Sequence, residues 1–95
     1  MNKKELVASL ASRTGLTQSK CSEIVNSLFD GDQGIIASEL ADGGKVSLPG
    51  FGTFATKVRP ARQGTNPATQ EPMQIPERTM PQFRAGRNLK LKVRG

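Results

Sequence analysis

The side chains best suited to chemistry in this sequence are lysines and arginines in its second half. Residues 51–95 hold nine Lys and Arg against two Glu, whereas residues 1–50 hold five against six Asp and Glu. A basic half of this kind indicates a polyanionic partner, of which nucleic acid is the commonest. These side chains can bind phosphate, because the guanidinium group of arginine is a planar donor that makes two parallel hydrogen bonds.

Catalytic chemistry has little support. The sequence contains no histidine and a single cysteine, Cys21, so it offers neither a Cys/His metal set nor an internal disulfide. Gly50-Phe51-Gly52 has the first glycine spacing of a nucleotide-binding loop, but it leads into a predicted strand rather than a helix. We therefore expect no enzymatic activity, no cofactor, no metal and no small-molecule substrate.

The sequence also gives no indication of a membrane partner. The N-terminus has no apolar run long enough for a signal peptide or a membrane span. The basic half has no basic amphipathic helix with a large apolar face. We therefore expect a cytoplasmic protein.

Residues 55–78 form a polar segment that the basic residues flank and follow. Its middle, Gly64-Thr65-Asn66-Pro67, is a turn signal, because Gly supplies positive φ and Asn-Pro favours turn initiation. Prolines on both sides favour edge strands. The pattern predicts a two-stranded ribbon, or arm. Because the arm has no hydrophobic core of its own, we expect it to lie against the surface of another molecule. The basic residues concerned are Lys57, Arg59, Arg62, Arg78, Arg84, Arg87, Lys90, Lys92 and Arg94.

Helices in the first half must support this arm. Asn2 followed by Glu5 fits a capping pattern, Gly15 ends the first helix, and Thr17 is a candidate cap for the second. The apolar residues recur at three and four residues, which is typical of amphipathic helices. They are Leu6, Val7 and Leu10 in the first helix, and Cys21, Ile24, Val25, Leu28 and Phe29 in the second.

Residues 30–34 allow two interpretations. An unbroken helix would keep Leu28 and Ile35 in phase, because seven residues are nearly two turns. Alternatively, the glycines at 31 and 34 interrupt the helix and Asp32 caps a further piece ending before Gly43. The second interpretation is slightly favoured.

Strands are predicted for residues 45–48 and 53–59, with Met73 and Ile75 on the returning strand of the arm. Residues 86–94 are ambiguous, because Leu89 and Val93 suit a helix whereas Leu89, Leu91 and Val93 alternate as in a strand. Ninety-five residues make one domain at most, and the part outside the arm is small enough that oligomerisation is expected to supply extra buried area.

The motifs together resemble those of bacterial HU and integration host factor, over the whole chain. The matching segments are Met1-Asn2-Lys3-Lys4-Glu5-Leu6, Gly50-Phe51-Gly52-Thr53-Phe54, Arg59-Pro60-Ala61-Arg62, Gly64-Thr65-Asn66-Pro67, Ile75-Pro76, Pro81-Gln82-Phe83 and Ala85-Gly86-Arg87-Asn88-Leu89-Lys90. The resemblance implies an α+β fold: an intertwined homodimer with a helical base, a three-stranded antiparallel sheet saddle, a β-ribbon arm and a short C-terminal helix. One domain would span residues 1–95, with dimerisation helices in 1–44, sheet and arm in 45–83 and the last helix in 84–95.

The resemblance also implies function: sequence-tolerant binding and bending of double-stranded DNA in the bacterial nucleoid, through arms that enter the minor groove. Bent, nicked or gapped DNA should be preferred. Pro67 would intercalate. The resemblance implies DNA contacts by Lys3, Arg59, Arg62, Asn66, Pro67, Arg87 and Lys90. Lys57, Arg78 and Arg84 from the basic set, and Thr65 at the arm tip, complete the predicted DNA-binding residues. The expected dimer core comprises Leu6, Leu10, Ile24, Val25, Leu28, Phe29, Phe51, Phe54 and Phe83.

Several residues depart from the family pattern. The family usually has Arg at Thr65, Gly at Gln70 and often Lys at Glu71, so weaker electrostatic binding by the arm is expected. Residues 30–34 are an insertion relative to the family pattern, before the glycine turn. Three alternatives remain. The first is a sequence-selective subunit like integration host factor that needs a different partner chain, and the second is an RNA-binding or ribosome-associated protein. The third is a structural interaction protein whose basic half binds an acidic partner.

Overall fold

The computed structural model describes residues 1–95 as two compact units, residues 1–42 and 43–95. The first unit contains helices α1 (Lys3–Thr14), α2 (Gln18–Phe29) and α3 (Ile35–Ala41). The second contains strands β1 (Val46–Leu48), β2 (Gly52–Arg59), β3 (Arg62–Thr65), β4 (Pro72–Ile75) and β5 (Arg78–Ala85), then helix α4 (Arg87–Arg94). The α+β class is confirmed. None of the helices combines the length and the apolar character that a membrane span needs.

The first two helices begin at their predicted capping residues, and the first ends at its predicted glycine. The Asn2 side chain accepts a hydrogen bond from the Glu5 amide at 2.8 Å, and the Thr17 side chain accepts one from the Lys20 amide at 3.1 Å. Both bonds satisfy backbone donors that have no partner in the first helical turn. Gly15 follows α1 with φ of 76°, a left-handed conformation in which glycine avoids the cost of a Cβ.

Residues 30–34 interrupt the helix, as the favoured interpretation predicted, but Asp32 is not the cap. The Asp30 carboxylate accepts hydrogen bonds from the amides of Gln33 at 2.8 Å and Asp32 at 3.2 Å. The bond from Gln33, and secondarily that from Asp32, lowers the pKa of the Asp30 carboxyl, because both stabilise its ionised form. Helix α3 begins after Gly34, which makes no side-chain cap.

The helical unit has a very small core. Val7, Cys21 and Val25 are its buried apolar residues, with Leu10 and Ala11 packed against them. Several large apolar side chains remain on the surface of this unit: Leu6, Leu16, Leu28, Phe29 and Ile35. Helices of this length obtain most of their stability from packing an apolar face, so this unit has more apolar surface than its own core uses.

Strands β1, β2 and β5 form the predicted three-stranded antiparallel sheet, with β2 in the centre. The pairing of β2 with β5 runs over eight residue pairs, from Gly52 opposite Ala85 to Arg59 opposite Arg78. Strands β3 and β4 form a separate two-stranded ladder, from Arg62 opposite Ile75 to Thr65 opposite Pro72. The predicted arm is therefore a ribbon in two ladders rather than one.

A cluster of phenylalanines lies on one face of the three-stranded sheet. The Phe83 ring centroid lies 4.8 Å from that of Phe54 and 5.7 Å from that of Phe51. Gly52 leaves room for this cluster, because a Cβ at that position would lie 2.5 Å from the Phe83 ring. The aromatic residues thus pack on each other, although the Phe51 and Phe83 rings remain about half exposed.

The last segment is a helix, which resolves the ambiguity of residues 86–94. Its start is fixed by the glycine turn: the Gly86 amide donates to the Phe51 carbonyl at 2.7 Å and the Leu89 amide to the Gly50 carbonyl at 3.0 Å. Gly50 has φ of 83° and faces the Asn88 side chain. The helix begins at Arg87 rather than at residue 84, so Arg84 lies on β5.

Candidate nucleic-acid interface

The β2–β5 register gives the sheet two chemically different faces. Cross-strand partners share a face and successive residues alternate between faces. Arg59 lies opposite Arg78, Lys57 opposite Met80, and Thr53 opposite Arg84. We call the side that carries Lys57, Arg59, Arg78 and Arg84 the cationic face. The opposite side carries the Phe54–Phe83 pair together with Val58.

The cationic face has no acidic residue to neutralise it. Its remaining members on β2 and β5 are Thr53, Ala55, Met80 and Gln82. The one ion pair in the structure joins Lys20 and Glu23 at 3.6 Å in the helical unit. Like charges directly opposite each other across a sheet are destabilising, so the Arg59–Arg78 pair lowers the stability of the isolated chain. Four unpaired cations on one face make a binding surface for a polyanion.

Two prolines divide the arm and open a notch in it. The ladders on either side of the break are separated by residues 60–61 on one strand and 76–77 on the other. Pro60 and Pro76 lack an amide hydrogen, so neither can donate to the ladder at this point. The break encloses a notch of about 300 Å³ whose lining includes Lys57, Arg59, Arg62 and Arg78. Arg62, on the outer ladder, thus joins three cations of the inner one.

The tip of the arm is a turn organised by Asn66. The Asn66 amide donates to the Glu71 carbonyl at 2.9 Å, and its carbonyl accepts from the Gln70 amide at 2.6 Å. Its side-chain oxygen accepts from the Ala68 amide at 2.9 Å. The Asn66 amide, carbonyl and side-chain oxygen thus all make hydrogen bonds within residues 66–71, and these bonds define the turn. Pro67, the next residue, is exposed at the end of the arm.

Gln70 is the tip residue whose conformational role the sequence analysis missed. Its φ of 57° makes it the one non-glycine residue with a left-handed backbone. Such a conformation costs a residue with a Cβ roughly 1–2 kcal/mol. The sequence did contain an indication of this conformation, because the family pattern has glycine at this position and glycine is typical where φ is positive. Thr65 lies at the end of β3 opposite Pro72, immediately before the turn.

The structure does not bring all the predicted DNA-binding residues together. Lys57, Arg59, Arg62 and Arg78 converge on the notch, and Arg84 shares the cationic face with three of them. Arg87 and Lys90 lie on α4, three residues apart and hence on one side of that helix. Lys3 belongs to the helical unit, where it lines a cleft with Leu6, Phe29 and Asp30.

The residues expected in a dimer core fall into two groups. Leu6, Leu28, Phe29, Phe51 and Phe83 are more than a third exposed, with Phe29 at 55%. Leu10, Ile24 and Phe54 are half-buried, and Val25 is buried within the chain. Large apolar residues thus remain uncovered on each of the two units.

Comparisons with known proteins agree with this geometry. A family model described as bacterial DNA-binding protein matches residues 1–94. DNA-binding protein HU-1 of Halalkalibacterium halodurans is 43% identical over 94 residues, which cover 99% of this chain and 100% of that protein. DNA-binding protein HU of Lactococcus lactis is 42% identical over 93 residues, 98% of each chain. An Anabaena HU–DNA cocrystal structure matches with a TM-score of 0.86 at 36% identity, covering 98% of this chain and 97% of that one.

Proposed function

The chain belongs to the family of bacterial DNA-binding proteins that includes HU, and we propose that it binds double-stranded DNA and bends it as an architectural protein of the nucleoid. The observation that carries this proposal is the cationic face. Its four Lys and Arg have no acidic partner, and two of them lie directly opposite each other. A phosphate backbone would neutralise this repulsion and release counterions, which is the main source of non-specific DNA affinity.

Within this proposal the notch and cationic face hold the phosphates on either side of a groove. Arginine also fits a narrow minor groove, where the negative potential is concentrated. Lys57, Arg59, Arg62, Arg78 and Arg84 therefore position the arm without reading the sequence directly. Arg87 and Lys90 on α4, and Lys3 at the start of α1, contact the DNA flanks.

The tip deforms the duplex in the same proposal. Pro67 is an apolar side chain exposed at the end of a ribbon, and apolar wedges of this kind unstack base steps and kink DNA. Asn66 fixes the turn that holds Pro67 at the tip, and in this proposal Thr65 lies beside the DNA backbone. Because bending costs a few kcal/mol, DNA that is already bent, nicked or gapped would bind more tightly.

The protein acts as a homodimer in this proposal. Two arms can hold both sides of a kink, whereas one arm cannot. The exposed side chains of Leu6, Leu28 and Phe29 in one unit, and of Phe51 and Phe83 in the other, supply apolar surface that a second copy would cover. An isolated chain of this size would otherwise be only marginally stable.

Two measurements on the full-length protein test the proposal. The first is the mass of the purified protein in solution, which should be that of two chains; a stable monomer would contradict the dimer. The second compares intact and nicked duplexes of one sequence in binding titrations at several salt concentrations. We expect tighter binding to the nicked duplex and an affinity that falls as salt rises. Equal affinity for the two duplexes would contradict bending. The same titrations include double-stranded RNA of the same sequence as a competitor, and stronger binding to it would favour an RNA-binding function instead.

A further inference from the structure

The notch has the dimensions and charge of a pocket for a small anion. Its volume of about 300 Å³ is at the lower end of the range of small-molecule sites. Cations reach it from three strands: Lys57 and Arg59 from β2, Arg62 from β3 and Arg78 from β5. No acidic side chain lines it and none pairs with these cations.

The walls of the notch are held in place by the backbone. Pro60 and Pro76 each have a fixed φ and no amide hydrogen, so the break between the ladders is set by the covalent structure. Ile75 supplies apolar surface beside the prolines, on the same face of the outer ladder as its cross-strand partner Arg62. Because the break is open before a ligand arrives, binding requires ordering of the cationic side chains but no rearrangement of the backbone.

The charge distribution favours a compact ligand with several negative charges. A phosphodiester of DNA carries a single charge, and its neighbours lie along an extended backbone. The notch instead gathers four cations around one small concave volume. The linked phosphates of a polyphosphate chain match this arrangement, because each can accept charge-assisted hydrogen bonds from a different guanidinium or ammonium group.

We infer that the notch binds a free polyphosphate chain, either inorganic or carried by a nucleoside, and that this ligand competes with DNA for the arm. The competition rests on the proposed function, since it requires the same four cations to hold DNA. The binding itself depends only on the notch.

Calorimetric titration of the full-length protein tests the inference, with sodium tripolyphosphate, ATP and sodium orthophosphate as ligands at one ionic strength without divalent metal. We expect saturable binding of one tripolyphosphate per chain, at least about tenfold tighter than orthophosphate, because additional charge-assisted bonds form. Tighter binding of ATP than of tripolyphosphate would support a nucleoside against Ile75, and equal binding would support recognition of the phosphates alone. Equal, weak binding of tripolyphosphate and orthophosphate would overturn the inference.

Matched variants separate a defined site from general charge attraction. Arg78→Gln should weaken tripolyphosphate binding about tenfold, because it removes a charge-assisted bond. Arg13→Gln changes the net charge equally, but its residue lies on α1, so binding should change by less than about twofold under screening. Equal losses in both variants would overturn the inference. Arg62→Gln, on β3, carries the same test if circular dichroism shows that the Arg78 variant is misfolded.

DNA titrations of the same proteins distinguish this inference from the proposed function. A protein that binds DNA but does not saturate with tripolyphosphate overturns the inference and leaves the proposed function intact. A protein that saturates with tripolyphosphate and does not bind DNA supports the notch as a polyphosphate site and overturns the proposed function. If both ligands bind, tripolyphosphate should displace DNA from the wild-type protein more effectively than orthophosphate at equal ionic strength.

Discussion

Arg59 and Arg78 face each other across β2 and β5, and neither has a carboxylate within 4 Å. Sheets normally avoid like charges in directly opposed positions, because the pair destabilises the ladder by up to about 1 kcal/mol. Here the pair lies at the last position before the proline break, where the notch gathers Lys57 and Arg62 as well. The same geometry that weakens the isolated ribbon therefore concentrates positive potential for a ligand.

The first prediction concerns the stability of this pair. Arg78→Gln should raise the free energy of unfolding by about 0.2–1 kcal/mol at low salt, because it removes the repulsion from Arg59. The gain should shrink at high salt, where exposed charges are screened. Chemical unfolding at two salt concentrations and fixed protein concentration measures both effects. Arg84→Gln is the control, because Arg84 lies opposite Thr53; a similar salt-dependent gain there would contradict the cross-strand explanation.

The sequence predicted the elements of the arm but not the notch. Alternation and turn residues identify two strands and a tip around Asn66, because these signals are local. The opposition of Arg59 and Arg78 depends on register, which the pairing of distant strands decides. Pro60 and Pro76 each suited an edge strand when considered singly. Their alignment across the ribbon, which the structure shows, interrupts both strands at the same level. This break brings Arg62 near the cations of the β2–β5 ladder.

The helical unit shows the same division between local and non-local information. Asn2, Gly15 and Thr17 acted as predicted, because a cap interacts with residues two to four positions away. The break in the helix at residues 30–34 was predicted correctly, but the residue that stabilises it was not. Asp30, rather than Asp32, accepts the hydrogen bond from the Gln33 amide. The choice between two nearby aspartates depends on backbone angles that composition does not determine. Phe29 remains 55% exposed although its spacing predicts a packed apolar face, because the core formed by Val7, Cys21 and Val25 does not extend to it.

The second prediction concerns the missing cation at the arm tip. Thr65 lies at the outer end of β3, where the family pattern has arginine. Thr65→Arg should steepen the dependence of log affinity on log salt by about 0.9 for each arm that gains a phosphate contact, and hence by about 1.8 for a dimer that binds with both arms. Binding titrations at four or more salt concentrations measure the slope. Arg13→Lys is the control, because it changes a residue of α1 without changing the charge, and its slope should equal that of the wild-type protein. An unchanged slope in Thr65→Arg would show that residue 65 does not reach a phosphate.

The third prediction concerns the left-handed conformation of Gln70. Gln70→Gly should relieve roughly 1 kcal/mol of backbone strain, because glycine adopts a φ of 57° without a Cβ contact. The tip should then open less often, and the amides of Asn66 and Gln70 should exchange hydrogen more slowly. Residue-resolved hydrogen exchange measures this. Ala68→Gly is the control, since Ala68 does not have a positive φ; slower exchange in that variant would contradict the strain explanation.

The fourth prediction concerns the break between α2 and α3. A Cβ at Gly34 would lie 2.6 Å from the Asp30 carbonyl oxygen and 2.7 Å from its amide nitrogen, both backbone atoms that cannot move aside cheaply. Gly34→Ala should therefore destabilise the protein by about 1–3 kcal/mol, the usual cost of overpacking. Gly31→Ala is the matched control, because no atom lies within 4 Å of its added Cβ. Thermal unfolding of both variants at one protein concentration measures the difference, and equal midpoints would show that the turn adapts.

The fifth prediction separates binding from bending at Pro67. This residue is exposed at the tip and makes no amide hydrogen bond, so alanine can replace it without removing a bond of the Asn66 turn. Pro67→Ala should retain the salt-dependent affinity that the cationic face supplies, because no charge changes. It should lose the kink, because the methyl group of alanine is too small to wedge between base steps. Fluorescence energy transfer between the ends of a duplex measures the bend, and gel or calorimetric titration measures affinity.

Pro67→Leu is the control for the wedge, since leucine restores apolar bulk without the fixed φ of proline. It should recover part of the bend if apolar insertion is the cause. A bend unchanged in Pro67→Ala would show that the cationic face alone deforms the duplex. A loss of affinity together with the bend would show instead that binding free energy depends on the kink, because the bent DNA then makes contacts that the straight duplex cannot.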